Sequence, residues 1–96
     1  MNTFGEFLRY NREQLRLPLR KVASELDIDT SILSKIERGE RVATKEMLET
    51  FSKTLDIPQK TIEVEFIKSY ILTDLSDLLY LFDGLVETLN VIKNHK

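Results

Sequence analysis

Phe4, Phe7 and Leu8 recur at helical spacing and Leu15 extends the pattern, which predicts a first helix over about Thr3 to Leu15 with Arg9, Arg12 and Arg16 interleaved. Pro18 interrupts it. Proline suits the first turn of a helix, where its missing N–H would be unpaired anyway, so a second helix is expected over Leu19 to Leu26, with Leu19, Val22, Ala23 and Leu26 as its apolar stripe. Asp27-Ile28-Asp29 breaks the stripe, and Asp29 or Thr30 can cap a third helix running to about Arg38, where Gly39 permits a left-handed terminus. Ile32 or Leu33 together with Ile36 would face inward, leaving Thr30, Ser31, Ser34 and Lys35 outside. Thr44 heads a fourth helix over about Lys45 to Leu55 that would bury Met47, Leu48, Phe51 and Leu55. Pro58 opens a fifth, with Ile62, Phe66, Ile67, Tyr70 and Ile71 as burial candidates and an end near Thr73-Asp74.

The last segment has a different rhythm. Leu75, Leu78, Phe82, Leu85, Leu89 and Ile92 are spaced alternately three and four apart, the repeat of a helix packed along a seam, and Leu79 and Val86 widen it. No strand alternation, internal repeat or low-complexity run interrupts the helical pattern, so the fold class is all-α.

Composition narrows the chemistry. Ninety-six residues with 42% apolar content suffice for one compact core. The chain has no cysteine, which excludes disulfides and thiolate metal sites, and its single histidine, His95, is read as a solvated terminal residue without a ligand partner. No metal and no cofactor are expected. An enzyme is disfavoured as well, since no glycine-rich phosphate loop, metal-spaced acid cluster or nucleophile with a histidine base can be assembled. The N-terminal MNTFGEFLRYNREQ is charged and lacks the apolar centre of a signal peptide, so the expected location is cytoplasmic. Membrane insertion is not expected, because Asp77, Asp83 and Glu87 interrupt a stretch too short to span.

The net charge of -2 argues against indiscriminate binding to polyanions, so any nucleic-acid contact must come from a local basic face. Such a face is available. Between Arg9 and Lys21 five cations, Arg9, Arg12, Arg16, Arg20 and Lys21, meet one acid, Glu13, whereas from Pro58 onward the acids outnumber the bases.

The segment from Leu19 to Gly39 resembles the helix-turn-helix of the Cro and phage-repressor (XRE) family of bacterial regulators. The likeness rests on small Ala23, apolar Ile28 after the turn, apolar Leu33 and Ile36, and the closing Ser34-Lys-Ile-Glu-Arg-Gly39 string, and it extends more loosely from Phe4 to Pro58. Two positions depart from the family pattern: Asp27 stands where glycine is usual in the turn, and Leu19 where glutamine is frequent. Aspartate tolerates a positive φ better than most residues, and Arg20 can replace the lost polar contact. The stretch from Leu33 to Thr44 is similar to small regulators associated with DNA methyltransferases, the restriction-modification controllers.

The resemblance implies a five-helix repressor-like DNA-binding domain with a C-terminal helical dimerisation extension, divided as residues 1–57 and 58–96. In such a fold the third helix enters the major groove. The base readers implied are Thr30, Ser31, Ser34 and Lys35, and the phosphate contacts Arg20, Lys21, Arg38, Arg41 and Lys45. Arg12 and Glu37 match a family pair joining the first helix to the end of the third, a supporting role. A single helix-turn-helix reads too few base pairs to be selective, so a homodimer on a pseudo-palindromic double-stranded operator is expected. Its interface would be Leu75, Leu78, Leu79, Phe82, Leu85, Val86, Leu89 and Ile92, with packing of this stripe onto its own protomer as the competing arrangement. The alternative function is an antitoxin or interaction module that holds a partner protein on the C-terminal helix.

Overall fold

In the computed structural model, which describes residues 3–95, the chain is helical throughout: α1 Phe4–Gln14, α2 Leu19–Leu26, α3 Thr30–Glu37, α4 Leu48–Thr54, α5 Gln59–Leu75 and α6 Leu81–His95, with a single 3₁₀ turn at Lys45–Met47. No strand occurs among the described residues. Thr3 caps α1, its hydroxyl accepting from the Glu6 amide at 3.0 Å. Four helices close alike: Arg16, Asp27, Gly39 and Asp56 follow α1 to α4 in the left-handed region, φ 54–78°. Each lets the next amide reach back to a carbonyl of the last turn, as in Leu17 to Arg12 and Ile28 to Ala23.

The fourth helix departs from expectation. Its first turn, Lys45–Met47, is 3₁₀ and α-helix begins only at Leu48, while Thr44 makes no side-chain capping bond. Without a capping oxygen the leading amides are left to the tighter i→i+3 pattern, as is common at helix ends.

Twelve apolar side chains form the core: Phe4, Leu8, Val22, Ala23, Leu33, Ile36, Ala43, Leu48, Phe51, Leu55, Ile57 and Ile62. Helices α1 to α4 enclose it and the first half of α5 seals it, so the core continues past residue 57. Phe66 stacks edge-on against Phe4 at 5.4 Å, and the Phe4 amide donates to the Ser69 hydroxyl at 3.1 Å.

Beyond that point the picture changes. Of the expected buried positions of α5 only Ile62 is buried; Phe66 and Ile71 are half-buried, and Ile67 and Tyr70 are each 53% exposed. The buried core ends at Ile62; Phe66 packs on its edge against Phe4, and Ile67 and Tyr70 lie outside it. The continuous seam expected over Leu75–Ile92 is also divided. Leu75 ends α5, residues 76–80 form a turn carrying Leu78 and Leu79, and Phe82, Leu85, Val86, Leu89 and Ile92 belong to α6. Helix α5 ends at Leu75, and the Leu78 amide turns back to the Leu75 carbonyl. Helix α6 buries none of its residues, and its apolar positions remain in solvent. Packing of the stripe onto its own protomer, the competing arrangement, is therefore not what the fold adopts.

Candidate nucleic-acid interface

Helix α3 is positioned by three contacts from α1 and α2. Ala23, 2% exposed, lets α2 cross α3 closely, since a larger side chain would lever the two apart. Gly5 does the same for α1: a methyl group there would collide with the Ile36 carbonyl oxygen and lie 2.7 Å from that of Glu37. A glycine inside an otherwise unbroken helical pattern is the sequence signal that marks such an approach, one that apolar spacing alone does not register.

The third support is electrostatic. Arg12 reaches from α1 to the last residue of α3, its Nε donating to Glu37 Oε2 at 2.7 Å and its Nη2 to Oε1 at 3.0 Å. Its Nη1 donates to the Leu17 carbonyl at 2.8 Å, which ties in the α1–α2 link. Both side chains are largely withdrawn from water, at 12% and 5% exposure. Hydrogen bonding to Glu37 raises the Arg12 pKa above the ordinary arginine value against the opposing effect of burial, so the guanidinium stays cationic and unavailable to a ligand. A paired fork of this kind orients α3 rather than reading a base.

With Leu33, Ile36 and Glu37 turned into the core, the 100° advance per residue carries Thr30, Ser31, Ser34 and Lys35 onto the opposite arc, about 140° wide. Thr30, Ser31 and Lys35 are exposed and Ser34 is half-buried. The arrangement thus brings all four together on one open helix face. Arg38 continues it as the C-cap of α3, in an exposed ion pair with Glu40 at 2.9 Å.

The surrounding cations fall into two groups. Arg20 and Lys21 occupy the first turn of α2, which carries no acid; Lys21 forms an exposed pair with Glu25 at 3.4 Å. Arg41 and Lys45 lie on the link between α3 and α4. Arg20, Lys35, Arg41 and Lys45 have no ion-pair partner among the described residues. Exposed pairs contribute little, so the paired cations can exchange their carboxylates for another anion at small cost.

No three His, Cys, Asp or Glu side chains among the described residues are grouped to hold a metal ion, and no described helix is long and apolar enough to cross a membrane.

No curated protein and no solved structure matches the chain. A family model does, that of a helix-turn-helix domain, over residues 5–71. The matched stretch takes in α1 through most of α5, more than two thirds of the chain. With three supports converging on α3 and its polar face turned outward, the protein belongs to the helix-turn-helix domain family of DNA-binding regulators.

Proposed function

We propose that the protein is a sequence-specific transcriptional regulator of the Cro and phage-repressor type that binds a pseudo-palindromic double-stranded operator as a homodimer. The observation that carries the reading is the open face of α3, where Thr30, Ser31, Ser34 and Lys35 stand together on a helix locked from behind. A helix matches the width of the major groove, and Lys35 is the side chain there that can donate to guanine O6 or N7. Thr30, Ser31 and Ser34 are short and suit several base edges.

Arg20, Lys21, Arg38, Arg41 and Lys45 are assigned to phosphates. The α2 terminus adds to this, because its free amides and dipole favour an anion where Arg20 and Lys21 already gather positive charge. Each phosphate neutralised steepens the salt dependence of binding by about 0.9 in log–log slope. Two-fold pairing would place two copies of α3 in successive major grooves, and the apolar face of α6, buried against nothing in the protomer, supports that pairing. The unit that reads DNA is assigned to residues 1–57 and the unit that pairs to residues 58–96, with Ile62 of α5 also sealing the core. The Leu33–Thr44 stretch supports kinship with restriction-modification controllers.

Selection from a random duplex library is the test. Enrichment of a two-fold symmetric sequence is expected, and no enrichment would overturn the proposal. Lys35→Ala should then lower affinity for the selected operator by about 10-fold or more while leaving random-duplex affinity nearly unchanged, whereas Arg41→Ala should weaken both in parallel.

A further inference from the structure

Helix α5 is apolar on two sides. Ile62 and Phe66 face the core, while Val64, Ile67, Ile71 and Leu75 repeat at three- and four-residue spacing along the far side. Val64 and Ile67 are 45% and 53% exposed, so this second apolar face has no cover in the protomer. Beside this stripe an open groove of about 480 Å³ runs between α5 and the α3–α4 link, lined by Val42, Ala43, Phe66, Ile67, Tyr70 and Ile71. Helix α6 carries a stripe of its own, Phe82, Leu85, Val86, Leu89 and Ile92, which meets no substantial surface of its protomer.

The two unpartnered surfaces fit each other. At 1.5 Å per residue the α5 stripe from Val64 to Leu75 is about 16 Å long and the α6 stripe from Phe82 to Ile92 about 15 Å. Asp83 adjoins the α6 stripe and Lys45 lines the groove, one pair of opposite charges. Helix α6 projects from its own α5, and the radius of gyration is 14.9 Å against about 12.5 Å for a compact chain of this length. The accessible surface of 7175 Å² exceeds that of a compact monomer of this mass by about 1,500 Å². A standard interface needs about 800 Å² from each partner.

We infer that α6 of a second copy lies along the outer stripe of α5 and its adjoining groove, so that two protomers exchange their last helices. The inference rests on the homodimer reading and specifies which surface accepts the partner. It has a regulatory consequence, because the wall of the groove opposite α5 is the link bearing Arg41 and Lys45. Seating the partner's helix orders two phosphate-contacting cations, and pairing and DNA binding strengthen each other.

The absence of native cysteine makes disulfide trapping direct. A double variant, Ile67→Cys with Leu89→Cys, and a second, Ile67→Cys with Leu85→Cys to cover the opposite helix direction, are oxidised mildly and run on non-reducing gels beside each single variant. Covalent dimer from a double variant but not from the singles is expected. An intrachain disulfide that leaves the chain a monomer would overturn the exchange, as would dimer formed equally by the Leu85→Cys or Leu89→Cys single variant, which would mean that α6 pairs with α6. A monomeric mass for the unmodified chain by light scattering would overturn the homodimer itself, separately from those outcomes. Ile67→Glu, at a position exposed in the protomer, should keep the helical circular dichroism while raising the dimer dissociation constant about 10- to 100-fold.

Discussion

Glu37→Gln tests whether the reading helix is held by the buried ion pair. The substitution preserves shape and removes the charge, leaving Arg12 a cation at 12% exposure with one of its Nε and Nη2 bonds lost to the glutamine NH2, the other weakened, and only the Leu17 carbonyl kept at full strength. Breaking a fully buried pair costs about 3–5 kcal/mol, and the residual exposure of Arg12 places this one near about 3 kcal/mol. A domain of this length has about 5–14 kcal/mol in total, so the variant stays folded at room temperature. At about 4–8 °C per kcal/mol its Tm should fall by about 12–24 °C, read by thermal circular dichroism at one fixed protein concentration. The Arg12 contribution itself does not titrate in any working range: a base whose pKa is raised by folding keeps its stabilising effect at all pH below its unfolded value and loses it only as pH climbs through the folded one. The double variant Arg12→Met with Glu37→Leu, which leaves no charge stranded, should recover most of the loss. A Glu37→Gln protein that melts within about 1 kcal/mol of the parent yet binds the operator poorly would refute the reasoning and point to a direct DNA contact for the pair.

Gly5→Ala should cost about 3 kcal/mol despite alanine's better helix propensity, because the added methyl meets backbone carbonyls of α3 that cannot move aside; an unchanged denaturant midpoint would mean that α1 and α3 are not so close. Asp27→Gly should stabilise by up to about 1 kcal/mol by relieving the left-handed backbone at φ 56°, and urea unfolding with a lowered midpoint would show that the aspartate side chain has a role of its own. Leu85→Glu with Leu89→Glu should halve the mass in light scattering at micromolar concentration and leave the core transition intact, since neither residue is buried in the protomer; a dimer of unchanged strength would place the interface elsewhere.

Much of the architecture was legible along the chain. The boundaries of α2 followed from Pro18 and the break at Asp27, α3 from the same break and Gly39, and the outward quartet Thr30, Ser31, Ser34 and Lys35 from spacing alone. Helical period and the chemistry of caps are local properties, carried by residues within a turn or two of each other. The Arg12–Glu37 partnership was reached only through likeness to a family, and the geometry gives it atoms and distances. Local pattern failed where another rule competed: the uncapped Thr44 let the fourth helix start as a 3₁₀ turn, and Arg16 and Asp56 entered the left-handed region without a glycine to announce it.

What the sequence determined by itself was therefore the run of helices, the core stripes of α1 to α4 and the polar face of α3. Tertiary structure decided what those faces meet. Apolar spacing states that a side chain wants cover without saying whether cover exists: Ile62 found the core, whereas Ile67 and Tyr70 on the same helix, and Phe82, Leu85, Val86, Leu89 and Ile92 of α6, did not. Likewise Gly5 reads as a weak helix former until the backbone of α3 is placed beside it. The burial of a surface depends on residues distant in sequence, and that dependence is the information a one-dimensional period does not contain.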